Sequence, residues 1–210
     1  MKTQNKDSQN ALTPADALQL LKDGNARFLA NKQADRQLLE QVKETATGQF
    51  PFAVILSCID SRVSAELAFD QGVGDIFSVR IAGNIVNEDI LGSMEFACQL
   101  AGSKLIAVVG HSSCGAVKGA CANAELGHLT GLLNKVQPVI KSVKASGDVP
   151  ETELVQRVAD ANVESVVKEI RERSSVLSAL IDSGSVGIVG GMYSVESGAV
   201  EFGELATGKN

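Results

Sequence analysis

Two short runs constrain this chain most. "FAVILSC", Phe52 to Cys58, and "KLIAVVG", Lys104 to Gly110, are apolar almost without interruption. Runs of this length and composition fit strands buried on both faces, as in a parallel sheet sandwiched between helices. "DIFSVRI", Asp75 to Ile81, alternates and reads as a further strand. "SVGIVGGMYSV", Ser185 to Val195, reads as another, and "AVEFGEL" as a short strand at an edge.

Helical patterns lie between these runs. Thr13, Pro14 and Asp16 form an N-cap, an N1 proline and an acidic first turn ahead of "ADALQLLKDGNARFLA". A second short helix is expected from about Asp35 to Thr47. Another begins at Ile90, with Asp89 as its cap and Gly102 as its stop. One helical region is expected from about Gly115 to Val143. A linker follows at 147–151, then helix over 151–182. Residues 1–12 read as a polar, mobile arm. The expected fold is α/β: a central, mainly parallel sheet of four parallel strands plus an edge strand, flanked by helices. It occupies a single domain, 1–210, with 1–47 as an N-terminal helical arm.

Composition narrows the function. Net charge is −6, so no basic face is expected for nucleic acid. No run reaches the roughly 18 apolar residues of a membrane span. The N-terminal "MKTQNKDSQNALTP" has no apolar core of a signal peptide. The expectation is a cytoplasmic protein with a small-molecule substrate. Four cysteines in a chain of 210 residues suggest metal binding, catalysis or plain burial rather than a disulfide framework.

Ligands of parallel α/β folds gather at the carboxyl ends of the strands. The first apolar run ends at Cys58, and the third strand ends just before His111 and Cys114 in "VVGHSSCGAV". Two thiolates and an imidazole form a borderline-soft set that suits Zn²⁺ and leaves a fourth position for water. "CIDSRV" adds Asp60 and Arg62. In an extended segment Cys58, Asp60 and Arg62 share one side. Arg62 can then hold Asp60 by a bidentate pair, leaving Asp60 to accept a hydrogen bond from bound water or to bind the metal itself. Cys98 and Cys121 read as small buried hydrophobes, His128 as a surface or helix-start residue, and Tyr193 as structural. Arg80 is expected to brace the loop after its own strand, Gly83 to serve a tight turn, and Gly110 and Gly115 to allow close backbone approach.

C-x-D-x-R followed about fifty residues later by H-x-x-C-G resembles the β-class carbonic anhydrases. "LAFDQGVGDIFSVRIAGN", Leu67 to Asn84, and "GSMEFACQLAGSKLIAVVGHSSCGAV" extend the likeness over about residues 49–120, and "YSVESGAV" fits the family's last strand pair more loosely. The resemblance implies zinc on Cys58, His111 and Cys114, and an Asp60–Arg62 dyad that orients zinc-bound hydroxide for attack on CO₂. By the same likeness Asp60 can become a fourth ligand in a closed state. It also implies a substrate pocket with Gln49, Phe77 and Phe96, shared across a homodimer or dimer-based tetramer. Tyrosine is frequent in the family where Phe96 stands. Two thiolates neutralise the formal charge of Zn²⁺, so activity is expected to rise toward alkaline pH. Alternatives on the same residues are carbonyl sulfide or carbon disulfide hydrolysis, a non-enzymatic zinc protein closed by Asp60, and a thiol redox protein using Cys58 and Cys114.

Overall fold

The computed structural model describes residues 3–208. Three helices, α1 (Lys6–Ala11), α2 (Pro14–Leu29) and α3 (Leu38–Glu44), precede β1 (Ala53–Ser57). A short α4 (Ala65–Ala68) leads to β2 (Ile76–Arg80). A 3-10 turn, Ala82–Asn84, and α5 (Glu88–Glu95), prolonged by a π-helical turn Phe96–Leu100, lead to β3 (Leu105–His111). Five helices follow: α6 (Gly115–Cys121), α7 (Gly127–Leu133), α8 (Gln137–Ala145), α9 (Glu151–Arg173) and α10 (Ser175–Asp182). β4 (Gly187–Tyr193) and β5 (Val200–Phe202) end the order.

The strands form one sheet in the order β2-β1-β3-β4-β5. β1 to β4 run parallel, and β5 is antiparallel at the edge. The two apolar runs become the central pair β1 and β3, buried along their whole length. Alternation divides their side chains between two layers. Val54, Leu56, Ile106 and Val108 pack toward α5, α9 and α10. Ala53, Ile55, Leu105, Ala107 and Val109 pack toward α2 and α4. Helices therefore cover both faces, as the pattern requires. β2 lies on one side of β1 and β3 on the other, so the chain reverses direction across the sheet between β1 and β3. That switch point is where a crevice opens at the strand ends.

Several boundaries differ from the sequence reading. The arm is docked: Asn5 caps α1, and Gln9, 3% exposed, donates to the carbonyls of Pro51 and Ala101. The second helix is shorter than expected, Leu38–Glu44. The cap of α5 is Asn87, which accepts from the Ile90 amide, rather than Asp89. The region from Gly115 to Val143 is three helices. Asn123 adopts a positive φ between α6 and α7, Gly127 does so as the first residue of α7, and Pro138 restarts the chain in α8. The 151–182 segment divides at Ser174, whose side chain accepts from Leu177 N–H and caps α10. Gly102, at φ +83, does stop its helix.

Candidate metal centre

β1 delivers Cys58 one residue past its end, while β3 runs one residue further than expected and carries His111 as its last residue. Ser113, at φ 56, turns the chain sharply so that Cys114 becomes the N-cap of α6. Ser112 ties this turn down: its amide donates to Tyr193 O and its hydroxyl accepts from Val195 N–H. Cys58, His111 and Cys114 are all buried, and their ligand atoms lie within 4.8 Å of one another.

His111 Nδ1 sits 2.9 Å from Ser112 O. A carbonyl only accepts, so Nδ1 carries the proton and Nε2 keeps its lone pair. Nε2 is buried with no hydrogen-bond partner. An orphaned acceptor beside two sulfurs is the position a metal ion would satisfy. The thiols are set apart in the same sense. Contact with Cys114, helped by the Gly83 amide, draws Cys58 down against the effect of burial. The Cys58 contact and burial push Cys114 up. Such a pair gives up one proton readily and the second only to a compensating cation. A borderline-soft divalent ion fits this donor set.

The segment after Cys58 turns instead of running extended: Val63 N–H donates to Asp60 O at 3.0 Å. The dyad forms nonetheless. Asp60 Oδ1 accepts from Arg62 N–H and Nε at 3.0 and 2.9 Å, and Oδ2 accepts from Nη2 at 2.7 Å. Arg62 holds the Asp60 carboxyl well below the usual carboxylate range. Asp60 Oδ2 lies 3.9 Å from His111 Nε2. Arg80 braces not the loop after its own strand but the one after β1, donating to Cys58 O and Asp60 O at 3.0 and 2.7 Å.

A cavity of about 280 Å³ opens beside the centre. Cys58 and Asp60 lie on its wall, and Ile59, Ala82, Ala116, Leu129 and Leu133 make the remainder largely apolar. Gly115 also lines it. A Cβ there would meet nothing within 4 Å, so this glycine borders open space and does not serve close approach. Gly110 does serve it: a Cβ would stand 2.5 Å from Val163 and 2.7 Å from Met192. Gly83, at φ +70, makes the expected tight turn. A larger groove of about 700 Å³ between α9 and the β4–β5 edge is lined by no cysteine or histidine, so the smaller cavity is the candidate site.

Gln49, Phe77 and Phe96 do not line this cavity. Gln49 is exposed. Phe77 and Phe96 pack edge to face, centroids 6.1 Å apart, and Phe96 is 52% exposed. Cys98 is buried as expected, but Cys121 only partly so. His128 is an exposed residue at the start of α7.

Comparison with known proteins supplies the family. A model of the carbonic anhydrase family matches residues 53–200. Carbonic anhydrase 2 of Mycobacterium tuberculosis is 40% identical over 191 residues, covering 88% of this chain and 90% of that one. The chain belongs to the β-carbonic anhydrase family. Its enzyme class follows from that membership. Among solved structures, the Coccomyxa β-carbonic anhydrase in complex with acetazolamide superposes with a TM-score of 0.74 at 25% identity, covering 79% of this chain and 78% of that one. A tetrameric β-carbonic anhydrase from Sordaria macrospora shares the fold, with a TM-score of 0.73 at 23% identity over 90% and 98% of the two chains. The family match spans Cys58, Asp60, Arg62, Phe77, Phe96, His111 and Cys114, and begins after Gln49.

Sequence reasoning missed the wall supplied by Ala82, Ala116, Leu129 and Leu133, because apolar residues of separate turns carry no motif. It also missed Asn162, buried on α9, whose amide donates to Gly83 O at 2.9 Å. Its only sequence cue is a polar residue among valines at helical spacing.

Proposed function

We propose that the chain holds Zn²⁺ through Cys58, His111 and Cys114 and catalyses reversible hydration of CO₂ to bicarbonate and a proton. The observation that carries this reading is the unpartnered Nε2 of His111 set among two thiols, with an arginine-locked carboxylate 3.9 Å away. Zinc in this position supplies the Lewis acidity that makes water nucleophilic near neutral pH.

The protein's own groups do the rest. Asp60 is ionised and acceptor-only, so it accepts a hydrogen bond from an oxygen donor at the centre and fixes which way that oxygen's lone pair points. Arg62 occupies both Asp60 oxygens. This favours Asp60 as orienter over Asp60 as permanent fourth ligand. The apolar cavity beside Cys58 suits a small uncharged substrate and offers little to retain a charged product.

The same reading extends to assembly. Gln49, Phe77 and Phe96 stand away from the cavity of their own chain and are assigned to the pocket wall of a partner, in a homodimer or a dimer-based tetramer. Phe96 and Leu100, at 52% and 76% exposure on one helical turn, support an apolar contact face. No helix among the described residues is long and apolar enough to cross a membrane. Four unpaired thiols fit a reducing, cytoplasmic setting.

The test is metal analysis of the purified protein together with assays of CO₂ hydration, carbonyl sulfide hydrolysis and carbon disulfide hydrolysis. One zinc per chain and a dominant CO₂ activity that rises toward alkaline pH are expected. Dominant turnover of either sulfur compound would overturn the substrate assignment. Full activity without metal would overturn the centre.

A further inference from the structure

Six residues of α9 are buried: Val158, Ala159, Asn162, Val163, Val166 and Ile170. Asn162 is the polar one, 2% exposed. Burying an amide on an apolar helix face is unfavourable unless a specific hydrogen bond offsets it. Here Nδ2 donates to Gly83 O at 2.9 Å, across 79 residues of chain. Gly83 lies at φ +70 in the turn after β2, a conformation with little backbone preference of its own. Its N–H donates to Cys58 Sγ at 3.4 Å. One position further along α9, Val163 packs against the backbone of Gly110, immediately before His111. A single turn of α9 thus abuts both segments that carry the centre.

We propose that Asn162 is a positioning residue for the metal centre. By holding the Gly83 carbonyl, in the peptide plane that follows the Gly83 Cα, it pins the turn whose preceding plane carries the Gly83 N–H to the sulfur of Cys58. That hydrogen bond draws charge from the thiolate, sets the direction of its lone pairs and tunes its strength as a ligand. Asn162 does not touch substrate. The inference rests on Cys58 being a ligand, as proposed above.

The test uses the metal-loaded protein, wild type and Asn162→Leu, which keeps the side-chain bulk and removes the donor. Two readouts are compared with the melting temperature. Zinc affinity, measured by competition with a chelator, is expected to fall about 10- to 100-fold, the range for lost outer-shell partners. In the cobalt(II)-substituted protein, the sulfur-to-metal charge-transfer band is expected to shift to lower energy, because a thiolate without its N–H partner donates more readily. A packing role alone would move the melting temperature and leave the band in place. Asn162→Ala serves if Asn162→Leu does not fold. A folded variant with wild-type zinc affinity and band overturns the proposal. Failure of both variants to fold also overturns it, since Asn162 would then hold the fold and not the centre. Failure of the wild type to retain zinc would overturn the metal reading instead.

Discussion

Two carboxylates ten positions apart both pair with arginine, and the pairs do opposite work. Asp60 is clasped by Arg62, two residues away, at the rim of the cavity; the side chains are 17% and 51% exposed. Asp70 is 4% exposed and takes Arg27 and Arg36, 43 and 34 residues away. Its Oδ2 also accepts from the Ala34 amide at 3.1 Å, and Arg36 reaches the Asp70 carbonyl as well. The first pair fixes one carboxylate where a reaction can use it. The second stitches α2 and the segment after it onto the end of α4. Identical functional groups are divided by sequence separation and burial: a local exposed fork costs little and leaves a second lone pair on Oδ2 to accept from a further donor, while a remote buried one is structural and sensitive to loss of either partner.

The largest expected effect lies on the site side. Cys114→Ser exchanges a thiolate for a poor zinc ligand. The protein is expected to lose its metal and fall to background CO₂ hydration while circular dichroism and the Asp70 network are unchanged. Metal analysis with a hydration assay checks this, and retained zinc would break the division of labour.

On the structural side, Asp70→Asn leaves two guanidinium groups facing a neutral amide. It is expected to cost about 3 kcal/mol, as breaking a buried pair does, or roughly 6–12 °C in melting temperature for a chain of this size. Activity per bound zinc should be retained below the new transition. Calorimetry and an active-site-normalised assay separate the two.

The pH dependence of stability sharpens the same contrast. Burial pushes the Asp70 carboxyl up, but Arg27, the Ala34 amide and Arg36 outweigh it and hold it below its ordinary value. A folded-state value lower than the unfolded one contributes stability above the ordinary carboxylate range. That contribution is lost as pH falls through the folded value. Urea midpoints measured from pH 7 downward should therefore decline more steeply in the wild type than in Asp70→Asn. Parallel declines would remove Asp70 as the cause.

The smallest effect concerns the cavity. Gly115→Leu projects into open space beside Asp60, so the fold should tolerate it. About a tenfold loss in kcat/KM for CO₂ is expected from the lost volume, with a greater loss for the larger carbon disulfide in any residual activity. Equal rates in wild type and variant would show that substrate does not pass this wall.

The contrast between the two carboxylates also explains what the sequence made legible. Asp60 and Arg62 declare themselves because their partnership spans two positions. Cys58, His111 and Cys114 do so because apolar runs announce β1 and β3, and parallel sheets expose ligands at strand ends. The wrong detail there, an extended Cys58–Arg62 segment, did not matter, since the turn at Val63 forms the same fork. Asp70 carries no such signal: its arginines are remote, and "AFDQG" reads as an ordinary turn. Asn162 is silent for the same reason. The helical region expected from Gly115 to Val143 breaks after α6 where Asn123 takes a positive φ that its residue type permits without requiring. Gln49, Phe77 and Phe96 were named from family likeness, and the proposal that they wall a partner's cavity depends on a second chain.

The most direct test places Asp60→Asn and Asp70→Asn side by side as zinc-loaded proteins, each measured for CO₂ hydration per zinc and for melting temperature. Asp60→Asn is expected to lose about 10²-fold in rate with its zinc and melting temperature retained, and Asp70→Asn to do the reverse. A wild-type rate per zinc in Asp60→Asn would contradict the account.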